Sequence, residues 1–197
     1  MFLNFDPIKK YSGILIHPSS LPGGSYCGTF GNSVKDWIEI LSIYKINTWQ
    51  FLPLSPTDSM GSPYSSPSSF ALNPWFLDVD ELIKSNYIKE FNQAKIFQLE
   101  AKNLNVFQFK VADELSKIIG NLLIDSWDLQ SFDKKDQFYI WCKKNSWVND
   151  FSVFMTLKEE FNFSAWWNWP EEFKCKNKLA IEKWQKNNAK PILKRKL

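Results

Sequence analysis

Tyr64 stands in the run Ser62-Pro-Tyr-Ser-Ser66, with Asn73 a short way beyond it. A flat aromatic face flanked by hydroxyls and an amide suits a sugar ring, whose C–H face stacks on the aromatic while its hydroxyls find donors and acceptors. The same composition describes an aromatic packed beneath its own loop. Carboxylate pairs are the next chemistry to consider, since two suffice for glycoside cleavage. Asp58 follows Pro56-Thr57, where an Asp commonly turns the chain, and Asp78 is placed to cap a helix. His17 is the sole histidine, which removes a metal site built on histidines and a helical His-Glu-x-x-His motif. There is no Gly-x-Ser-x-Gly elbow, and Gly28-Thr-Phe-Gly31 lacks the Lys-Ser/Thr pair of a phosphate loop. His17 reads either as a polar ligand contact at a strand end or as a structural histidine bonded to nearby backbone.

Two strand ends must position these groups. Gly13-Ile-Leu-Ile16 is a short apolar run that stops at the turn-formers His17 to Gly24. Thr48 to Leu52, apolar and aromatic except for Gln50, reads as a second buried strand. Between them Val34, Trp37, Ile38 and Leu41 mark the inward stripe of a helix. Asn32 and Ser33 offer caps, and Ser33 with Asp36 resembles a capping box. Strand, helix, strand is a βαβ unit, with parallel strands and a right-handed crossover. Both turn-rich segments then leave the carboxyl edge of one sheet, where α/β folds place their sites. The second, Trp49 to Asp78, holds five of the ten prolines, and seven serines fall between Ser55 and Ser69. Such a stretch is often a linker. The interleaved Phe51, Tyr64, Phe70, Trp75 and Phe76 argue instead for an ordered loop stiffened by proline.

Beyond Asp78 the pattern is helical. A short helix is expected through Glu81 to Lys84, and an amphipathic one along Phe107, Val111, Leu115, Ile118, Ile119 and Leu122. Phe138, Trp141 and Cys142, then Val148, Phe151, Phe154 and Met155, mark one long or two abutting helices. Phe163 to Pro170 interrupts them, and Pro170 with Glu171 and Glu172 suits the first turn of another. A last helical segment starts near Pro191. The expected domains are residues 1–80, with the strands and the loop, and the helical residues 81–197. Two parallel strands cannot cover themselves, and an α/β barrel takes about 250 residues, so the chain reads as the amino-terminal part of a longer protein.

The chain of 197 residues is 44% hydrophobic and 17% aromatic, too aromatic for disorder. No apolar run reaches the roughly 20 residues of a membrane helix, and the first residues lack a signal-peptide pattern; a cytoplasmic protein without a membrane partner is expected. Cys27, Cys142 and Cys175 are too widely spaced for a zinc or redox motif. The net charge is +3, and the basic tail around Lys194-Arg195-Lys196 holds the only arginine, which argues against nucleic acid as a partner.

Taken together, His17-Pro-Ser-Ser-Leu-Pro-Gly23, Trp49-Gln-Phe-Leu-Pro-Leu-Ser-Pro-Thr57 and Ser62-Pro-Tyr-Ser-Ser-Pro-Ser-Ser-Phe-Ala-Leu-Asn-Pro74 resemble the amino-terminal region of the 4-α-glucanotransferases, or amylomaltases, of the α-amylase superfamily. Trp166-Trp-Asn-Trp-Pro170 resembles a Trp-Pro element further along that family. The resemblance implies an α/β fold: the first two βα units of an incomplete (β/α)8 TIM barrel, with a large helical insertion. It implies transfer of α-1,4-glucan segments by a retaining double displacement, with no metal or organic cofactor. Tyr64 would be the stacking platform and Ser62 a neighbouring sugar contact, with His17, Ser20 and Asn73 supporting the site. The family's nucleophile aspartate, acid/base glutamate and third aspartate lie on later strands, so this chain alone would catalyse nothing. Many members have a tyrosine where this chain has Ser59, which removes a secondary glucan contact there. The alternative is a non-catalytic glucan-binding or scaffold module.

Overall fold

Ile14 and Trp49 are the partnered centre of a two-stranded parallel sheet, β1 (Gly13–Leu15) and β2 (Thr48–Gln50). The computed structural model describes residues 11–22, 27–58, 61–90, 93–101 and 109–197. Two compact units make up the chain: Met1–Lys84 with Gln93–Ser116, and Ser85–Asn92 with Lys117–Leu197.

In the first unit α1 (Asn32–Ile43) is the crossover between the strands. Trp37 meets Trp49 edge-on at 6.4 Å, and Trp49 Nε1–H donates to the Ile16 carbonyl at 2.8 Å. Ile14 and Trp49 are therefore half-buried, while alternation turns Leu15 outward, 60% exposed. Buried strands were expected; these are covered on one face only. Of the helix stripe, Leu41 is buried, Val34 and Trp37 are half-buried, and Ile38 is open to solvent.

The expected caps are also corrected. Asn32 and Ser33 lie inside α1, and Gly31 takes the N-cap position without a side-chain bond. A Cβ on Gly31 would sit 2.2 Å from Asp78 Oδ2, so the close approach of that carboxylate leaves room only for glycine at the N-cap. At the other end Lys45 has a left-handed φ of 55°. Ile46 N–H reaches the Leu41 carbonyl at 2.9 Å and Lys45 N–H the Ser42 carbonyl at 3.1 Å, the paired bonds of a Schellman cap. That reversal turns the chain directly into β2.

After the loop come α2 (Val79–Lys84) and α3 (Gln93–Ala101), the latter unforeseen. Next is α4 (Phe109–Ser126), which buries Ala112, Leu115, Ile119 and Leu123; Phe107 of the expected stripe lies outside the described residues. In the second unit α5 (Phe132–Lys144) and α6 (Trp147–Glu160) are two abutting helices, followed by α7 (Glu171–Lys174), α8 (Lys178–Asn187) and α9 (Ala189–Lys196). Its core joins Leu157, Trp169, Trp184 and Ile192, lined by Val153, Phe154, Phe161 and Phe173. Trp184 Nε1–H is satisfied by Glu160 Oε2 at 2.7 Å, as a buried indole requires. Among the described residues no helix is long and apolar enough to cross a membrane.

Candidate functional site

Two single-turn 3-10 helices, one directly after β1 and one beyond the loop that follows β2, are built to one plan: a capping side chain, then proline. After β1, His17 precedes Pro18–Ser20, and its Nδ1 accepts the Ser19 N–H at 3.4 Å and lies 2.7 Å from Ser19 Oγ. Beyond the long loop, Asn73 precedes Pro74–Phe76, and its Oδ1 accepts the Trp75 N–H at 3.1 Å. Proline fits the first turn because the N–H it lacks would be unpaired there.

These two turns share one framework. His17 Nε2 faces the Pro53 carbonyl, just past β2, at 3.4 Å. The Asn73 N–H donates to the next carbonyl, Leu54, at 2.8 Å. The His17 ring lies 5.6 Å from Phe76, which stacks on Phe30 at 4.9 Å. A third strand of chain wedges in: Gly28 N–H donates to Ser19 O and Phe30 N–H to Phe76 O, both at 2.9 Å. Thr29 Oγ1–H bonds Asp78 Oδ2 at 2.5 Å, while Asp78 Oδ1 accepts the Glu81 N–H at 2.9 Å and starts α2. Cys27, buried here, directs its thiol at the Trp75 carbonyl. Trp75 Nε1–H bonds Asp113 Oδ1 at 2.8 Å, tying the framework to α4.

From this base the loop leaves along residues 54–58 and returns along residues 61–73, the two ends joined at Leu54 and Asn73. Its serines serve the backbone: Ser68 Oγ accepts the N–H groups of Phe70 and Ala71, and Ser66 Oγ donates to the Ser68 carbonyl at 2.7 Å. Asp58 Oδ1 accepts the Ser62 N–H at 2.9 Å, and Ser62 Oγ accepts the Tyr64 N–H at 3.4 Å. Such side-chain turns order a segment that has no ladder of its own. Tyr64 stands at the crest, 74% exposed, so it is not packed beneath its loop.

The structure thus joins His17 to Asn73 at the base, and Ser62 to Tyr64 at the crest, while Ser20 lies exposed at the end of the first 3-10 turn. Asn73 is 5% exposed; its Oδ1 caps the second 3-10 turn while its backbone N–H closes the loop on Leu54. Burial holds the His17 pKa below its ordinary value, against the pull of the Pro53 carbonyl. Neutral His17 matches the geometry, Nε2–H donating to Pro53 and Nδ1 accepting from Ser19, a tautomer inferred from these partners. Sequence reasoning missed Pro53, Thr29 and Phe76 as framework members. The signal that could have found the base is the repeated cap-then-proline pair, His17-Pro18 and Asn73-Pro74. Ser59 and Met60 lie outside the described residues. Among the described residues no three His, Cys, Asp or Glu side chains group as a metal site.

A profile of glycoside hydrolase family 77, described as 4-alpha-glucanotransferase, matches residues 16–196. The 4-alpha-glucanotransferase of Clostridium butyricum is 35% identical over 173 residues, covering 86% of this chain and 34% of that protein. That of Streptococcus pneumoniae is 31% identical over 189 residues, covering 94% of this chain and 36% of its own length. In structure the chain is similar to the amylomaltase from Streptococcus agalactiae in complex with acarbose, with a TM-score of 0.81 and 25% identity, over 95% of this chain and 38% of that one. The chain spans about a third of the length of these relatives.

Proposed function

Because the chain belongs to the 4-alpha-glucanotransferase family, we propose that it supplies the sugar-stacking part of an enzyme that moves α-1,4-glucan segments between maltodextrins. Tyr64 is the platform for a glucose ring, and Ser62 is the sugar contact beside it. His17, Ser20 and Asn73 support them from the base. The exposed Tyr64 on a loop pinned at both ends is the observation that carries this reading, since a preset aromatic face binds with little ordering cost. β1, β2 and α1 are read as the opening βα units of a (β/α)8 barrel, and residues 81–197 as a helical insertion. The protein acts in the cytoplasm and needs no metal or organic cofactor.

Transfer with retention needs a nucleophile and an acid/base carboxyl about 5–5.5 Å apart. Asp58 and Asp78 are both occupied by backbone turns and caps, so these carboxyls belong to the part of the relatives that this chain does not span. That same occupancy favours a second reading, a glucan-binding module without catalysis.

Incubating the full-length polypeptide with maltotriose separates the two. The enzyme releases glucose and builds longer dextrins, and Tyr64→Ala lowers kcat/KM by about 30-fold, the scale of a lost base- or sugar-stacking aromatic. Maltodextrin binding without redistribution leaves only the module; wild-type activity in Tyr64→Ala would remove Tyr64 from the site.

A further inference from the structure

Resting on the reading of Tyr64 as the glucan platform, we propose that His17 is a positioning residue that sets the height and direction of the Leu54–Asn73 loop and does not itself touch the sugar. The loop has two anchors at its base. One is its own closure, Asn73 N–H to the Leu54 carbonyl at 2.8 Å. The other comes from outside: His17, on the neighbouring strand end, holds the Pro53 carbonyl one residue before that closure. Pro53 has a fixed φ, so a bond to its carbonyl restrains the peptide plane from which the loop departs.

The ring is equipped for this and for little else. Its two nitrogens face Ser19 and Pro53, and its side faces Phe76. Ser19 in turn receives Gly28 N–H on its carbonyl, so the imidazole is braced by a turn that is itself tied down. A ring whose described polar contacts are both internal aligns another group; it is not poised to recognise a hydroxyl.

His17→Asn separates capping from clamping. The shorter side chain keeps an acceptor for the Ser19 N–H, as Asn73 does at the twin turn, and cannot reach Pro53. Amide hydrogen exchange on this 197-residue chain gives a readout that does not depend on activity. His17→Asn accelerates exchange at Ser62, Ala71 and Asn73 by about tenfold, the effect of one hydrogen bond lost from local opening, and leaves the amides of α6 unchanged. Unchanged loop exchange, or equal acceleration in α6, overturns the proposal.

In the full-length polypeptide a double-mutant cycle tests the route of action. His17→Asn lowers kcat/KM for maltotriose by about tenfold in the wild-type background and by less than about twofold in Tyr64→Ala. Additive losses mean that His17 acts on the glucan directly, and the positioning role fails. A wild-type protein without transfer activity defeats the glucan-transfer reading instead, while the exchange result still decides whether His17 sets the loop.

Discussion

At the scale of single residues, His17 ties the site to pH. Its described neighbours, Ser19, Pro53 and Phe76, carry no charge, and burial lowers its pKa from the ordinary 6.5. The unfolded chain therefore takes up the proton first as pH falls. Stability is full above pH 6.5 and declines through that value toward the lower folded pKa. Urea titrations between pH 7 and pH 5 should show this slope, and His17→Asn should flatten it; an unchanged slope would assign it to other groups. A close approach gives the second residue-scale prediction. A Cβ on Gly28 would lie 2.0 Å from the Pro18 carbonyl oxygen, a backbone atom that cannot swing aside. Gly28→Ala should cost about 1–3 kcal/mol, as overpacking does, read from the denaturant midpoint.

Among the elements, the βαβ unit and most helices were legible because their apolar spacing is strong. Leu115 and Ile119 are fully buried where the stripe put them, and α5 and α6 meet near Asn145 as one of two expected arrangements. What escaped the sequence is what depends on partners far along the chain. Asn32 and Ser33 are good local caps, yet Gly31 takes the N-cap, where the approach of Asp78 leaves no room for a Cβ. The 3-10 turns hide among turn-formers because proline and serine signal a bend without its hydrogen bonds. α3 has no acidic first turn or basic last turn to mark its ends, and it escaped the reading. For the candidate site, the exposed aromatic was readable and the base was not: Tyr64 stands out by type and lies open to solvent, whereas Pro53 contributes only a carbonyl. α1 ends against the usual preference. Lys45 occupies the left-handed position that helices commonly give to glycine. Lys45→Gly should stabilise the chain by up to about 1 kcal/mol, measured as a raised thermal midpoint; a lower midpoint would mean that the lysine side chain contributes more than its strain.

For the whole molecule, the first unit leaves apolar surface open in a pattern. Leu15 faces outward from the sheet, Phe51 is exposed just past β2, and Ile38, Ile40 and Ile43 of α1 and Tyr44 at its C-cap lie open to solvent, Ile43 being 65% exposed. Exposed apolar surface of this kind marks interfaces; under the proposed barrel, further strands and helices would cover it. The 197-residue chain alone should bind a hydrophobic dye and self-associate, and Ile38→Lys with Ile43→Lys should suppress both with little loss of stability. In the full-length polypeptide the same pair should destabilise by about 3–5 kcal/mol, because lysines would then be buried without partners. A tolerant full-length protein would leave that face uncovered there and argue against the barrel.

The buried thiol behind the loop base has a use of its own. Burial pushes the Cys27 pKa up to about 12, and its hydrogen is directed at the Trp75 carbonyl, so an alkylating reagent meets neither a thiolate nor an open path. Cys175 lies exposed on the second unit. Labelling of Cys27 can proceed only when the framework around Trp75 parts, while Cys175 reacts from the folded state. In a Cys142→Ser background the chain thus carries its own clock: the lag between the Cys175 and Cys27 alkylations times how often that framework opens.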